Sequence, residues 1–156
     1  MTEHRIISAE REIALPAAEI FKLIADPARH PQFDSNDNLA HADQGQRIAR
    51  VGQTFTMELT SGQRRVNEVV EFEEGRRIAW KPAPVREEPP GHLWRWELEP
   101  VDNVTTLVRP TYDWSELTDE SRFERARANT EEALDRSIIK LAELAEAVDA
   151  GAEVTD

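Results

Sequence analysis

The sequence predicts an α+β domain: a curved antiparallel sheet of about six to seven strands wrapped around a long C-terminal helix, with two short helices after the first strand. Three observations predict it. Between residues 54 and 114 apolar side chains recur at every second position, the period of strands buried on one face. From 118 to 148 they recur at every third or fourth, the period of an amphipathic helix. A sheet with one apolar face must cover it, and only that terminal segment is long enough to do so.

The elements follow in chain order. Residues 5–14 mix apolar and polar positions as a strand does, through Ile6, Ile7, Ala9 and Ile13. Pro16 suits a first helical turn, and 17–25 reads as a helix with Ile20, Phe21, Leu23 and Ile24 on one face. Asp26-Pro27 stops it, because the residue before a proline disfavours the α conformation. A second helical turn is expected over 28–33, limited by Pro31. Residues 35–47 read as a loop with a short strand near 38–43.

Phe55, Met57 and Leu59 then alternate with polar neighbours, and Ser61-Gly62 marks a turn. Val66, Val70 and Phe72 are placed on the inner face of the next strand, and Ile78 and Trp80 on that of the one after. The stretch 81–91 holds Pro82, Pro84, Pro89 and Pro90 and is expected to be a loop. Trp94, Trp96 and Leu98 face one way, and a last strand runs over 104–114.

Thr118, ahead of Asp119 and Glu120, is expected to cap the final helix. Phe123, Arg127, Thr130, Leu134, Ile138, Leu141, Ala145 and Val148 fall within about 80° of a helical wheel, so about 30 residues would form one rod about 45 Å long. This gives one domain over 1–150, with 151–156 as a frayed tail.

Composition narrows the function classes. With 31 acidic against 19 basic residues the net charge is −12, which repels nucleic acid and anionic membranes. Arg64-Arg65 and Arg76-Arg77 are isolated pairs beside Glu, expected as solvated strand ends rather than a basic patch. Absence of Cys excludes disulfides, thiolate nucleophiles and sulfur metal sites. No apolar run approaches the roughly 20 residues of a membrane span, and no secretory hydrophobic region follows the first residues, so a cytoplasmic location is the default expectation. His30 and Asp34, four apart with His41 beyond, do not make a metal-ligand pattern. Neither a nucleophile elbow nor a phosphate loop is present. No metal and no cofactor are expected.

In the stretches LPAAEIFKLIADPARHPQFD, VGQTFTM, NEVVEFEEGRRIAWKP and WRWELEP with TTLVRPTYDWS, and in the final amphipathic segment, the chain resembles the START-like (SRPBCC) superfamily, in its polyketide cyclase/dehydrase branch. The likeness covers about residues 5–148. It implies the helix-grip fold, with a cavity between the inner sheet face and the first half of the long helix. Members include lipid and hormone carriers, aromatase/cyclases, oxygenase domains and co-chaperones, so the fold alone selects no function.

The residues carry their own case for a cavity. Trp80, Trp94 and Trp96 fall on inward strand positions, and with Tyr112 and Trp114 near the end of the last strand they offer an apolar lining with a few N–H and O–H groups, to which Phe55 and Met57 are added as candidates. Phe123, Arg127 and Thr130 put the start of the helix on the same stripe. A buried Arg127 needs a partner, so it either faces the pocket or reaches solvent past the sheet edge. Glu68, read on the face of Val66 and Val70, would favour its neutral form if buried and serve as a general acid. Arg11 and Arg127 are its candidate counter-ions, and Tyr112 and Arg127 are the other acid–base candidates. A slip of one residue or a bulge would put Glu68 in water.

The function expected is binding or transport of a hydrophobic small molecule, a lipid, polyketide or aromatic metabolite. The alternatives are a polyketide cyclase/dehydratase-type enzyme working in the same cavity, and a protein-interaction or co-chaperone module. The expected partner is the hydrophobic ligand, with no nucleic acid and no membrane span; a second copy, as a homodimer, is left open.

Overall fold

In the computed structural model, which describes residues 3–151, every strand joins a single antiparallel sheet. The elements are β1 (Ile6–Ser8), β2 (Arg11–Ile13), α1 (Ala17–Ile24), α2 (His30–Phe33), β3 (Leu39–His41), β4 (Thr54–Leu59), β5 (Arg64–Glu73), β6 (Arg77–Pro84), β7 (Leu93–Asp102), β8 (Thr105–Asp113), α3 (Phe123–Arg127) and α4 (Glu131–Asp149). The sheet order is β1-β8-β7-β6-β5-β4-β3, with β2 also on β8. The count reaches eight because the first apolar run is two short strands, both paired to β8 and separated at Ala9-Glu10.

Strand parity decides what the sheet presents inward. In β4 the expected alternation holds, with Phe55 and Met57 buried and Thr54 exposed. In β5 the register against β6 shifts between Val69 and Glu71. Such an irregularity inverts parity along one strand. Asn67 and Val69 are therefore buried on the side where Phe72 joins the core, while Glu68 is exposed. Counting back from Phe72 without the bulge put Val66, Glu68 and Val70 inward, and the structure corrects that. β6 continues through Lys81–Pro84, which was expected to be loop. Its pairing with β7 ends at Trp80, so Pro82 and Pro84 lie where no N–H is needed on that side.

The C-terminal segment is not one rod. The Asp119 carboxylate, rather than Thr118, accepts from the Ser121 amide and opens a 3-10 turn at Glu120–Arg122 that leads into α3. The chain then breaks, and Thr130 Oγ1 accepts from the Ala133 amide at 3.2 Å to cap α4, with Glu131 and Glu132 at the positive end of its dipole. At 19 residues α4 is about 28 Å long. It buries Leu134, Ile138, Leu141 and Ala145 along one stripe, against α1 and α2 among its neighbours. Of the expected tail, 152–156 lie outside the described residues.

The core falls into two clusters. The larger holds Ile20, Phe21, Ile24, Phe55, Val69, Ile78, Trp80, Trp96 and Ile138; the smaller holds Tyr112, Trp114, Leu117, Ala126 and Leu134. Gly91 ties the loop after β6 to the second cluster: at φ +123° a Cβ there would lie 2.5 Å from the Glu116 carbonyl oxygen. Gly91→Ala is expected to cost about 1–2 kcal/mol in urea unfolding, through strained φ and a backbone clash. An unchanged midpoint would show that the loop simply moves aside.

Candidate functional site

Residues of both clusters face a cavity of about 390 Å³ between the inner sheet face, the segment after α1, and α3 with the start of α4. That size is in the range of small-molecule sites. Cross-strand pairing builds its back wall. Trp80 faces Trp94 and Trp94 faces Tyr112 in one row; Ile78 faces Trp96 and Trp96 faces Pro110 in the next. The Trp94 and Tyr112 rings lie 4.5 Å apart.

One end is an aromatic floor. His30 stacks on Trp80 at 5.1 Å and meets Phe55 edge-on at 5.7 Å, and Phe33 meets Trp96 edge-on at 5.5 Å. His30 Nε2 lies 2.7 Å from the Ile24 carbonyl oxygen, to which it donates. Burial drives its pKa down to about 4, so the ring stays neutral and serves as a bonded core group. His41 lies apart, exposed against Asp43.

Asp34 follows α2 and lines the same cavity. Burial pushes its carboxyl up to about 6, against the opposing pull of hydrogen bonds from the Asn36 and Asn38 amides and of the Lys140 charge. Its Oδ2 is buried and accepts no hydrogen bond. A carboxyl that titrates only about one unit below neutrality, with one oxygen free, can accept from a bound molecule and can also hold a proton to donate. Tyr112, also on the lining, shares a hydrogen bond with Asn129, and burial pushes its phenol up to about 12, so it is a neutral O–H.

The other end is cationic. Arg65 stands at the start of β5, its side chain turned inward by the same parity that buries Asn67 and Val69. Arg122 and Arg125 come from the approach to α3 and from α3 itself, and His92 follows Gly91. Burial first, and then Arg122, Arg65 and Arg125, drive the His92 pKa down to about 4. Arg65 is thus not a solvated strand end. A local basic cluster does exist, assembled from three separate segments rather than from a run in the sequence.

Of the residues singled out from the sequence, Phe55, Met57, Trp80, Trp94, Trp96 and Tyr112 line the cavity. Phe123 does not; it packs edge-on against Trp114 at 5.3 Å. Arg127 points outward, because the break after α3 rotates it off the α4 stripe. Its guanidinium takes both carboxylate oxygens of Glu3, at 2.5 and 3.2 Å, beside the Trp114 ring. Thr130 is exposed and spends its hydroxyl on the α4 cap. Glu68 lies outside the cavity, and Arg11 pairs with Asp135 at 2.6 Å instead. Polar lining groups that sequence reasoning missed include Arg65, Asn67, His92, Arg122, Arg125 and Asn129. Asp34 was noticed only for its spacing from His30.

Comparison with known proteins gives one family and one shape. The family model described as "Polyketide cyclase / dehydrase and lipid transport" matches residues 4–146. The uncharacterized protein Rv0088 of Mycobacterium tuberculosis is 31% identical over 111 residues, 69% of this chain and 47% of that one. The chain thus spans about half the length of the curated relatives it matches. Protein NE0264 from Nitrosomonas europaea superposes with a TM-score of 0.70 at 16% identity, over 96% of this chain and 99% of that one. The Zhui aromatase/cyclase from Streptomyces sp. R1128 superposes with a TM-score of 0.64 at 16% identity, over 92% and 94%. At such identities these structures establish the helix-grip fold alone. Among the described residues no helix is long and apolar enough to cross a membrane.

Proposed function

This chain belongs to the polyketide cyclase / dehydrase and lipid transport family, and from that membership we propose that it binds and carries a hydrophobic small molecule, a lipid, polyketide or aromatic metabolite, in the cavity between sheet and helices. The observation that supports this reading best is the split core. Two aromatic-rich clusters that could have packed on each other instead face an open volume of about 390 Å³. Each 100 Å² of ligand surface buried there would contribute about 2.5 kcal/mol before the costs of association.

N-phenyl-1-naphthylamine, which fluoresces in apolar surroundings, is expected to bind saturably. Asn67→Trp puts an indole into the cavity from β5, where aromatic residues are favoured. It is expected to weaken that binding by about tenfold or more, roughly 1.4 kcal/mol, while the circular dichroism stays native. Equal affinity in both proteins, or no saturable binding to either, would argue against the cavity as the binding site.

A second reading, a cyclase- or dehydratase-type enzyme in the same cavity, is favoured by Asp34, the buried carboxyl with a free oxygen. It would hold or pass the proton that Glu68 was expected to move. In that case Asp34→Asn removes turnover of a β-keto thioester and leaves N-phenyl-1-naphthylamine binding in place; retained turnover would end this reading.

A further inference from the structure

We propose that Arg65, Arg122 and Arg125, gathered around His92 at one end of the cavity, receive the anionic head group, carboxylate or phosphate, of an otherwise apolar ligand. The inference rests on the cavity binding an apolar molecule and adds the class of that molecule: an amphiphile, its chain on the aromatic floor and its charge among the arginines.

The argument starts from charge bookkeeping across the molecule. In a chain of net charge −12, carboxylates are plentiful. Arg11, Arg47, Arg95, Arg109 and Arg127 each hold one at 2.5–2.9 Å. The cavity arginines differ. Among the described residues Arg65 and Arg125 make no ion pair, and Arg122 reaches Asp119 only at 3.4 Å. They are also close enough to oppose one another: burial first, and then Arg122 and Arg125, hold the Arg65 guanidinium below its ordinary pKa, with only Glu87 acting in the other direction. Three like charges gathered at the end of a cavity, with Asp119 on Arg122 as the one ion pair they make among the described residues, are costly unless something completes them.

The lining carries one carboxyl, Asp34, set against these three permanent cations. A guanidinium presents a planar fork of N–H donors that fits carboxylate and phosphate oxygens in pairs. An anion seated there would relieve the mutual repulsion and leave its apolar part directed toward Trp80 and Trp96. His92, kept neutral by its surroundings, adds a ring nitrogen at the same end.

The test is displacement of N-phenyl-1-naphthylamine by three twelve-carbon probes: dodecanoate, dodecyl phosphate and dodecanol. At least one anion is expected to displace the dye at a concentration about tenfold or more below that of dodecanol, and the better anion names the head group. The preference is expected to fall within about twofold in R65Q/R125Q, to fall partly in R125Q alone, where the exposed side chain poses no folding risk, and to shrink in wild type between about 50 and 500 mM NaCl. Equal displacement by all three probes overturns the head-group site while the cavity reading stands. A preference that survives R65Q/R125Q and high salt overturns it as well. Failure of the dye to bind defeats the cavity reading and this inference with it.

Discussion

Trp114→Ala is expected to lower the unfolding free energy by about 3–5 kcal/mol, the cost of removing a fully buried indole. Trp114 is 1% exposed and anchors the smaller core cluster with Tyr112, Leu117, Ala126 and Leu134. Phe123 packs on its edge, and the guanidiniums of Arg5 and Arg127 lie 4.7 and 5.8 Å from its ring. These contacts hold α3 against the sheet, and α3 carries Arg125 and Ala126 into the cavity wall. The same substitution should therefore loosen the cationic end before the aromatic floor. Urea unfolding followed by circular dichroism measures the first effect. Hydrogen exchange of the α3 amides, faster than that of α4, measures the second. A loss below about 1 kcal/mol would mean that the indole is replaceable by neighbouring side chains.

Asp34→Asn is expected to do the opposite and stabilise the protein at pH 7, by up to about 3 kcal/mol. The folded-state pKa of Asp34 is raised from 3.8 to about 6. Between those values the folded protein keeps a proton that the unfolded chain has lost, so stability falls as pH rises through about 4 to 6. Above that window the full cost of holding a buried carboxylate is present. Asparagine can still accept from the Asn36 and Asn38 amides, and it carries no charge. Its advantage should shrink steeply toward pH 4, where the folded-state carboxyl is protonated and the unfolded one is about half so, and vanish only below the unfolded-state value of 3.8. His30 and His92 act in the reverse sense, since their folded pKa values of about 4 make stability fall as pH drops below 6.5. They are common to both proteins and cancel in the difference. Melting curves of wild type and D34N from pH 4 to 8 give that difference directly, and a pH-independent gain would contradict the cause assigned here. A group kept at such a cost to stability is one that a binding or catalytic role explains.

Most of the sheet was legible because strand parity is local. Phe55 and Met57, Trp80, and Trp94 and Trp96 needed only alternation to be placed inward, and the apolar face of α1 needed only helical spacing. β5 was misread where a bulge at Val69–Glu71 intervened, and a bulge leaves no mark in a run of valines and glutamates. That one residue exchanged Glu68 for Asn67 on the inner face and hid Arg65. The break before α4 had a signal in Thr130-Glu131-Glu132, a hydroxyl followed by acids. It was masked because Phe123, Arg127 and Thr130 happen to continue the α4 period. The cationic end could not be read at all, since its members come from β5, the loop after β6, and α3. Asp34 was visible, but the burial that raises its pKa depends on elements far from it in sequence.

The most direct measurement is a crystal structure of the protein grown with N-phenyl-1-naphthylamine. The dye is expected to lie between Trp80, Trp96 and Tyr112, with those side chains placed as they are here. Indoles collapsed into the space between the two core clusters, with the dye absent or bound only on the surface, would contradict a cavity built for a ligand.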